Sequence, residues 1–240
     1  MTTQLRHSPS SKRWRSDFER HADQHCDVDV TGISRPPGWS ALGASLAVFQ
    51  LGETGSGSKL FAEARRIGCD DGHMIALELF IGEEQEHARL LGLLLEHFDT
   101  PLERHHWTDR VFVHARQAFG YRGEVLMLLV AEVVALAYYS TLRDGIDDPR
   151  LAEVFARIHA DEVRHVRFHG DTLPPLLRRW RRSQWWLARM IWNGVVTGTS
   201  IVVGCGHRKA LHTCGASVRR FVSDIDSLRR REDARLFGRR

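Results

Sequence analysis

The sequence predicts an all-α protein built on a four-helix bundle with extra C-terminal helices. Three observations carry that expectation. Long stretches between Trp39 and Gly170 repeat their apolar residues at helical spacing, strand-like alternation is scarce, and Pro and Gly punctuate the chain between those stretches. With 240 residues, 42% hydrophobic and 27% charged, the chain has material for one sizeable core.

Taken in order, residues 1–37 are polar, rich in Arg, Ser and Asp, and end at Arg35-Pro36-Pro37; they read as a mobile N-terminal arm. Residues 38–173 read as the bundle. Its first segment, 39–67, is apolar at both ends but interrupted by GETGSGS, so two readings stay open there: one helix, or a loop before a helix starting near Lys59. Segment 71–98 is the clearest helix and is stopped by Thr100-Pro101. Residues 101–118 form a bridge expected to hold a short helix. Segment 121–143 is the third long helix. Asp148-Pro149 opens the fourth with an N-cap and a proline at its first position, and Pro174-Pro175 is expected to end it near Gly170. Residues 174–240 read as a basic, Trp-containing helical extension.

Charge divides the chain in the same place. Residues 1–175 carry 19 basic and 26 acidic side chains, net −7, whereas residues 176–240 carry 15 and 4, net +11. Within the extension, LLRRWRRSQWW alternates arginine with tryptophan as interfacial helices do. The apolar stretch Trp185–Gly206 has the length of a membrane span, but Arg189, Asn193 and four glycines argue against one. A cap or homodimer-interface helix is the first reading of 176–206, and contact with a membrane surface or a carrier the second. The four cysteines form no C-x-x-C pair and the first twenty residues hold no apolar signal core. The expected location is cytoplasmic, with a peripheral membrane association as the variant.

Each long segment carries the same anomaly on its apolar stripe. The stripes run Leu46, Phe49, Glu53; Leu77, Phe80, Glu84, His87, Leu91; Leu128, Glu132, Leu136; and Phe155, Ile158, Glu162, His165. Residues three apart share a helix face, so each Glu-x-x-His offers two ligands to one centre. Four buried carboxylates without cations would be strongly unfavourable, whereas two divalent metals balance them. Depth is consistent: Glu84 lies 13 residues after Asp71, Glu162 lies 13 after Pro149, and Glu132 and Glu53 fall at matching levels if 39–67 is continuous. Glu63 and Glu124 match less well.

A Glu from two helices and Glu-x-x-His from two others is the pattern of the ferritin-like diiron carboxylate proteins, which residues 39–170 resemble. The resemblance implies a ferritin-like four-helix bundle and two Fe held by Glu53, Glu84, His87, Glu132, Glu162 and His165, with Glu84 and Glu162 as the natural bridging carboxylates. Asp161-Glu162-Val163-Arg164-His165 resembles the D-E-x-R-H of bacterial diiron monooxygenases. The Gly52-Glu53 context is closer to the small demethoxyubiquinone-type hydroxylases.

Glu83-Glu84-Gln85-Glu86-His87 and Asp161-Glu162-Val163-Arg164-His165 align position for position. Ligand histidines usually donate their second N–H to a carboxylate, so Asp161 is expected to orient His87 and Glu83 to orient His165. Arg164, Tyr139 and His169 are further candidates around the centre; Tyr139 and its neighbour Tyr138 suit electron transfer or plain core packing. The resemblance implies an oxygen-activating monooxygenase-type enzyme, with O2 as co-substrate, an external electron donor such as a reductase or ferredoxin, and a small, mostly apolar organic substrate. A tRNA-modifying diiron hydroxylase, to which the basic tail is suited, and a rubrerythrin- or ferritin-like peroxide- or iron-handling protein are the alternatives.

Overall fold

The computed structural model describes residues 9–22, 29–106, 120–177 and 181–238. Every regular element among them is a helix: α1 (Pro9–Ala22), α2 (Trp39–Glu53), α3 (Ser58–Arg66), α4 (Asp71–His97), α5 (Gly120–Gly145), α6 (Pro149–Leu177), α7 (Arg182–Gly206), α8 (Arg208–Thr213) and α9 (Val218–Phe237). Helices α2, α4, α5 and α6 form the bundle. The α5–α6 hairpin packs along its whole length, α2 lies on α4, and α4 faces α6 across the centre. One core runs through it, from Leu42, Leu46 and Leu77 to Val125, Leu129, Phe155 and Phe168.

The helix starts follow local chemistry. The Asp70 carboxylate accepts from the His73 N–H at 2.8 Å and caps α4. Asp148 accepts from Leu151 N at 3.1 Å and caps α6, with Pro149 at the first helical position. The expected short helix in 101–118 falls mostly outside the described residues.

Three expectations need correction. Residues 39–67 are not one helix: α2 ends at Glu53, and α3 begins at Ser58 behind Gly57 at φ 64°, where a Cβ would come within 2.7 Å of Ile81. The depth match for Glu53, which assumed a continuous helix, therefore rested on a wrong premise. Helix α6 does not stop near Gly170 but runs through Pro174 and Pro175 to Leu177. Leu173, Leu176 and Leu177 are buried, and Arg122 Nε donates to Leu176 O at 2.9 Å, so packing overrides the two lost N–H donors. Residues 9–22, expected within a mobile arm, form α1. Its Trp14 and Phe18 are buried, and Trp14 Nε1 donates to Asp171 Oδ2 at 3.1 Å.

The C-terminal helices pack on the outside of α5 and α6. Trp192, Val196 and Ser200 are the inward face of α7, and Gly204 allows α9 close, since a Cβ there would meet Val218 at 3.1 Å. Arg189 grips Asp233 with two nitrogens, and Arg235 reaches Asp171. Among the described residues only α5 has the length and apolarity to cross a membrane, and most of it is buried in the bundle.

Candidate metal centre

The centre is built from the middles of three helices and the end of a fourth. Counting from Glu132 to Gly145, and from Pro149 to Glu162, gives thirteen residues in each arm of the α5–α6 hairpin, so both carboxylates stand at one level. Glu84 and His87 come from the middle of α4. Glu53, as the last residue of α2, reaches in from a helix end.

The structure brings all six predicted residues together. Glu53, Glu84, His87 and Glu162 can each point one ligand atom into a group spanning no more than 4.8 Å; Glu84, Glu132, Glu162 and His165 form a second such group. Glu84 and Glu162 belong to both, the placement that bridging carboxylates require. The His165 Nδ1 atom lies 3.0 Å from Glu84 and 3.6 Å from both Glu132 and Glu162, and His87 Nδ1 lies 3.5 Å from Glu162.

The outer nitrogens of both rings are engaged. His87 Nε2–H donates to Asp161 Oδ2 at 3.1 Å, and His165 Nε2–H donates to Glu83 Oε2 at 2.8 Å. A proton fixed on Nε2 leaves the Nδ1 lone pair directed at the carboxylates, the tautomer a metal ligand needs. Arg164 joins the two acids, at 2.7 Å from Glu83 and 2.6 Å from Asp161. Tyr139 donates to Glu53 Oε1 at 3.0 Å. His169 stands behind Glu132 with Nε2 at 3.5 Å and belongs to neither ligand group. Phe18 and Phe80 pack on His165, and Phe80 also on His169, which walls that side with apolar surface.

The electrostatics of these residues call for cations. Burial pushes the Glu53 and Glu162 carboxyls well above their ordinary range, with the charge of Glu84 adding at Glu53 and that of Glu132 at Glu162. Glu84 is raised for the same reasons. Burial also opposes ionisation of Glu132, but the His165 and His169 rings outweigh it and hold that carboxyl low. His165 loses basicity to burial, yet the surrounding glutamates raise it well above a free histidine. Burial works against the Asp161 charge as well, and the bond to His87 prevails, leaving that carboxyl at about 2. The inner atoms Glu84 Oε1, His87 Nδ1, both Glu162 oxygens and His165 Nδ1 are buried without a hydrogen bond. Orphaned polar atoms converging from two helices cost several kcal/mol together, roughly 1–3 each, unless something fills their centre. A mixed N/O donor set of this composition fits first-row transition metals such as iron and manganese.

Spacing did not reveal two features. Phe18, from the segment expected as an arm, covers His165. Ser45, Tyr138 and the half-buried His207 form a chain in which Ser45 Oγ lies 2.5 Å from the Tyr138 hydroxyl and 2.7 Å from His207 Nδ1. Residues 162 positions apart carry no local sign of meeting. The Trp14–Phe18 pair, one helical turn apart behind Pro9, was a readable sign of α1.

No protein-family model matches the chain, and no curated protein matches it. Among solved structures, it is similar to R2-like ligand-binding oxidases. One, a tyrosine-to-phenylalanine mutant with anaerobically reconstituted Mn/Fe cofactor, aligns with TM-score 0.69 at 15% identity, over 95% of this chain and 94% of that one. Another tyrosine-to-phenylalanine mutant, with aerobically reconstituted Mn/Fe cofactor, gives 0.68 at 13%, covering 95% and 93%. A valine-to-alanine mutant, with anaerobically reconstituted Mn/Fe cofactor, gives 0.66 at 16%, covering 95% and 94%. The likeness spans nearly the whole of both chains, C-terminal helices included. The chain has the ferritin-like fold of these oxidases, with a carboxylate/histidine cluster suited to metal at its centre.

Proposed function

We propose that the protein is a dimetal-carboxylate oxidoreductase that uses O2 to oxidise a small, mostly apolar organic molecule. The observation that carries this reading is the sharing of Glu84 and Glu162 between two ligand groups, each completed by its own histidine and its own terminal glutamate. Glu53 and His87 would complete one metal position, Glu132 and His165 the other. A reduced pair of iron ions, or of manganese and iron as in the similar structures, would supply electrons to O2 and an oxidising equivalent to the substrate.

The protein's own groups set the conditions. Asp161 and Glu83 hold the two imidazoles in the ligating tautomer, and Arg164 holds both acids in place. Phe18, Phe80 and Phe168 keep water from the His165 side. The break between α2 and α3 gives the Glu53 side a different character: a Cβ built on Gly52 or Gly55 would meet nothing within 4 Å. We assign substrate and O2 entry to that break. Tyr139 holds Glu53 at its mouth and is placed to give or take a proton at Oε1. Electrons come from a separate donor, a reductase or ferredoxin. Cytoplasmic residence is part of the same reading.

The test is anaerobic loading with Fe(II), alone or with Mn(II), followed by O2 uptake with a chemical reductant. Loaded wild-type protein should consume O2 in repeated turnovers, and metal-free protein should not. Uptake that is equal with and without metal would contradict the reading.

A further inference from the structure

One face of α7 has no partner among the described residues. Trp186, Leu187, Met190, Ile191, Ile201 and Val202 are all exposed, Trp186 at 65% of its surface, although the opposite face of the same helix packs on α9 and α5. At about 100° per residue these side chains fall within one half of the helix circumference, and the exposed positions between them on that half are the small residues Gly194, Thr197 and Gly198. From Trp186 to Val202 this face is roughly 24 Å long at 1.5 Å per residue. Scattered apolar side chains are normal on a protein surface, whereas six large ones gathered on one helix face mark an interaction site.

We propose that this face rests on an anionic lipid bilayer, with α7 lying in the plane of the interface. Charge decides between the possible occupants. Helix α7 contains no Asp or Glu, its one internal cation, Arg189, is tied to Asp233, and its ends carry Arg181 and Arg182 on one side and Arg208 and Lys209 on the other. These four are exposed and make no ion pair among the described residues. A second copy packed antiparallel on the strip would bring Arg181 and Arg182 against Arg208 and Lys209 at both ends, a like-charge meeting. A parallel arrangement would stack the same cations on themselves. An anionic headgroup layer meets both clusters with opposite charge, and the apolar strip between them meets acyl chains, with Trp186 at the headgroup boundary. RNA would answer the cations but not the apolar strip. The helix lies on the surface and does not span, because its other face is committed to the bundle.

The experiment is flotation of the full-length protein with vesicles of equal parts phosphatidylglycerol and phosphatidylcholine, and with phosphatidylcholine alone. The anionic vesicles should bind at least about tenfold more protein, since each basic side chain near such a surface contributes about fivefold, and high salt should reduce the difference. Met190→Glu with Ile201→Glu should abolish flotation while leaving the helical circular dichroism and metal content unchanged. Gln at Arg181, Arg182, Arg208 and Lys209 should remove the preference for anionic lipid. Protein that stays in solution with both vesicles, as monomer, dimer or RNA complex, would overturn the proposal, as would glutamate variants that float like wild type. The metal reading is tested separately and survives either result.

Discussion

The two segments Glu83–His87 on α4 and Asp161–His165 on α6 do the same work in mirror fashion, whereas the contributions of α2 and α5 differ. On α4 and α6, the acid before each shared glutamate crosses the bundle to fix the other helix's histidine, and Arg164 couples the two acids. On α5, Glu132 sits mid-helix with His169 at its back. On α2, Glu53 hangs from a helix end beside a break and is held by one tyrosine hydroxyl. The symmetrical pair provides the grip on the metals, and the asymmetrical pair decides where the centre opens.

The sharpest way to break that comparison is at the shared carboxylates. Glu162→Ala or Glu84→Ala should lose both metal ions, read by elemental analysis of the purified protein, whereas Glu53→Ala should lose the ion beside His87 and retain the one beside His165. Equal loss in all three would erase the distinction between grip and opening. The metal-free Glu162→Gln protein should melt higher than metal-free wild type, by about 1–3 kcal/mol of stability, because a crowded buried carboxylate has been neutralised.

Next in size is a contrast between two histidines in the same pair of helices. The glutamates raise His165, but burial holds His73 neutral, with its pKa pushed down to about 4 from an ordinary value of 6.5. Between those pH values the unfolded chain takes up a proton that the fold refuses, so stability falls as pH drops from about 6.5 to about 4. The integrated loss is about 3 kcal/mol at most. His73→Gln, which still offers Tyr121 a hydrogen-bond acceptor, should flatten the fall, measured as urea midpoints of wild type and variant across that range. Parallel curves would show that His73 is not held neutral.

Smaller again are the orienting acids. Asp161→Asn and Glu83→Gln should each weaken metal binding about 10- to 100-fold without loss of helix content, and by similar amounts if the two halves are equivalent. A loss confined to one of them would make the mirror relation only apparent. The smallest effect is expected at Tyr139→Phe, a few-fold loss of affinity at the Glu53 side, on the scale of roughly 1 kcal/mol for one hydrogen bond.

Much of this was legible in the sequence because the bundle is regular where it matters. Glu84, His87, Glu132, Glu162 and His165 lie on continuous helices, where spacing of three or seven residues translates directly into a shared face. Glu53 joined the set on a helix that turned out to be interrupted: the glycines of GETGSGS marked the interruption but not which side of it held the ligand position. Pro174-Pro175 looked like a stop, and buried leucines on both sides carried the helix through. Helix α1 was hidden by its polarity, since only Trp14 and Phe18 of its fourteen residues are buried aromatics. The Ser45–Tyr138–His207 chain depends on the tertiary return of the C-terminal helices, which no local pattern encodes. The Trp- and Arg-rich tail first read as a packed cap, and only the exposure of one α7 face separates the buried half of that reading from the interfacial half.

The central claim is that two ligand groups share Glu84 and Glu162, and anaerobic titration with Fe(II) followed by Mössbauer spectroscopy tests it most directly. A pair of iron ions per chain, bound together and magnetically coupled through the shared carboxylates once oxidised, is the predicted result. A single iron, or ions that show no coupling, would contradict it.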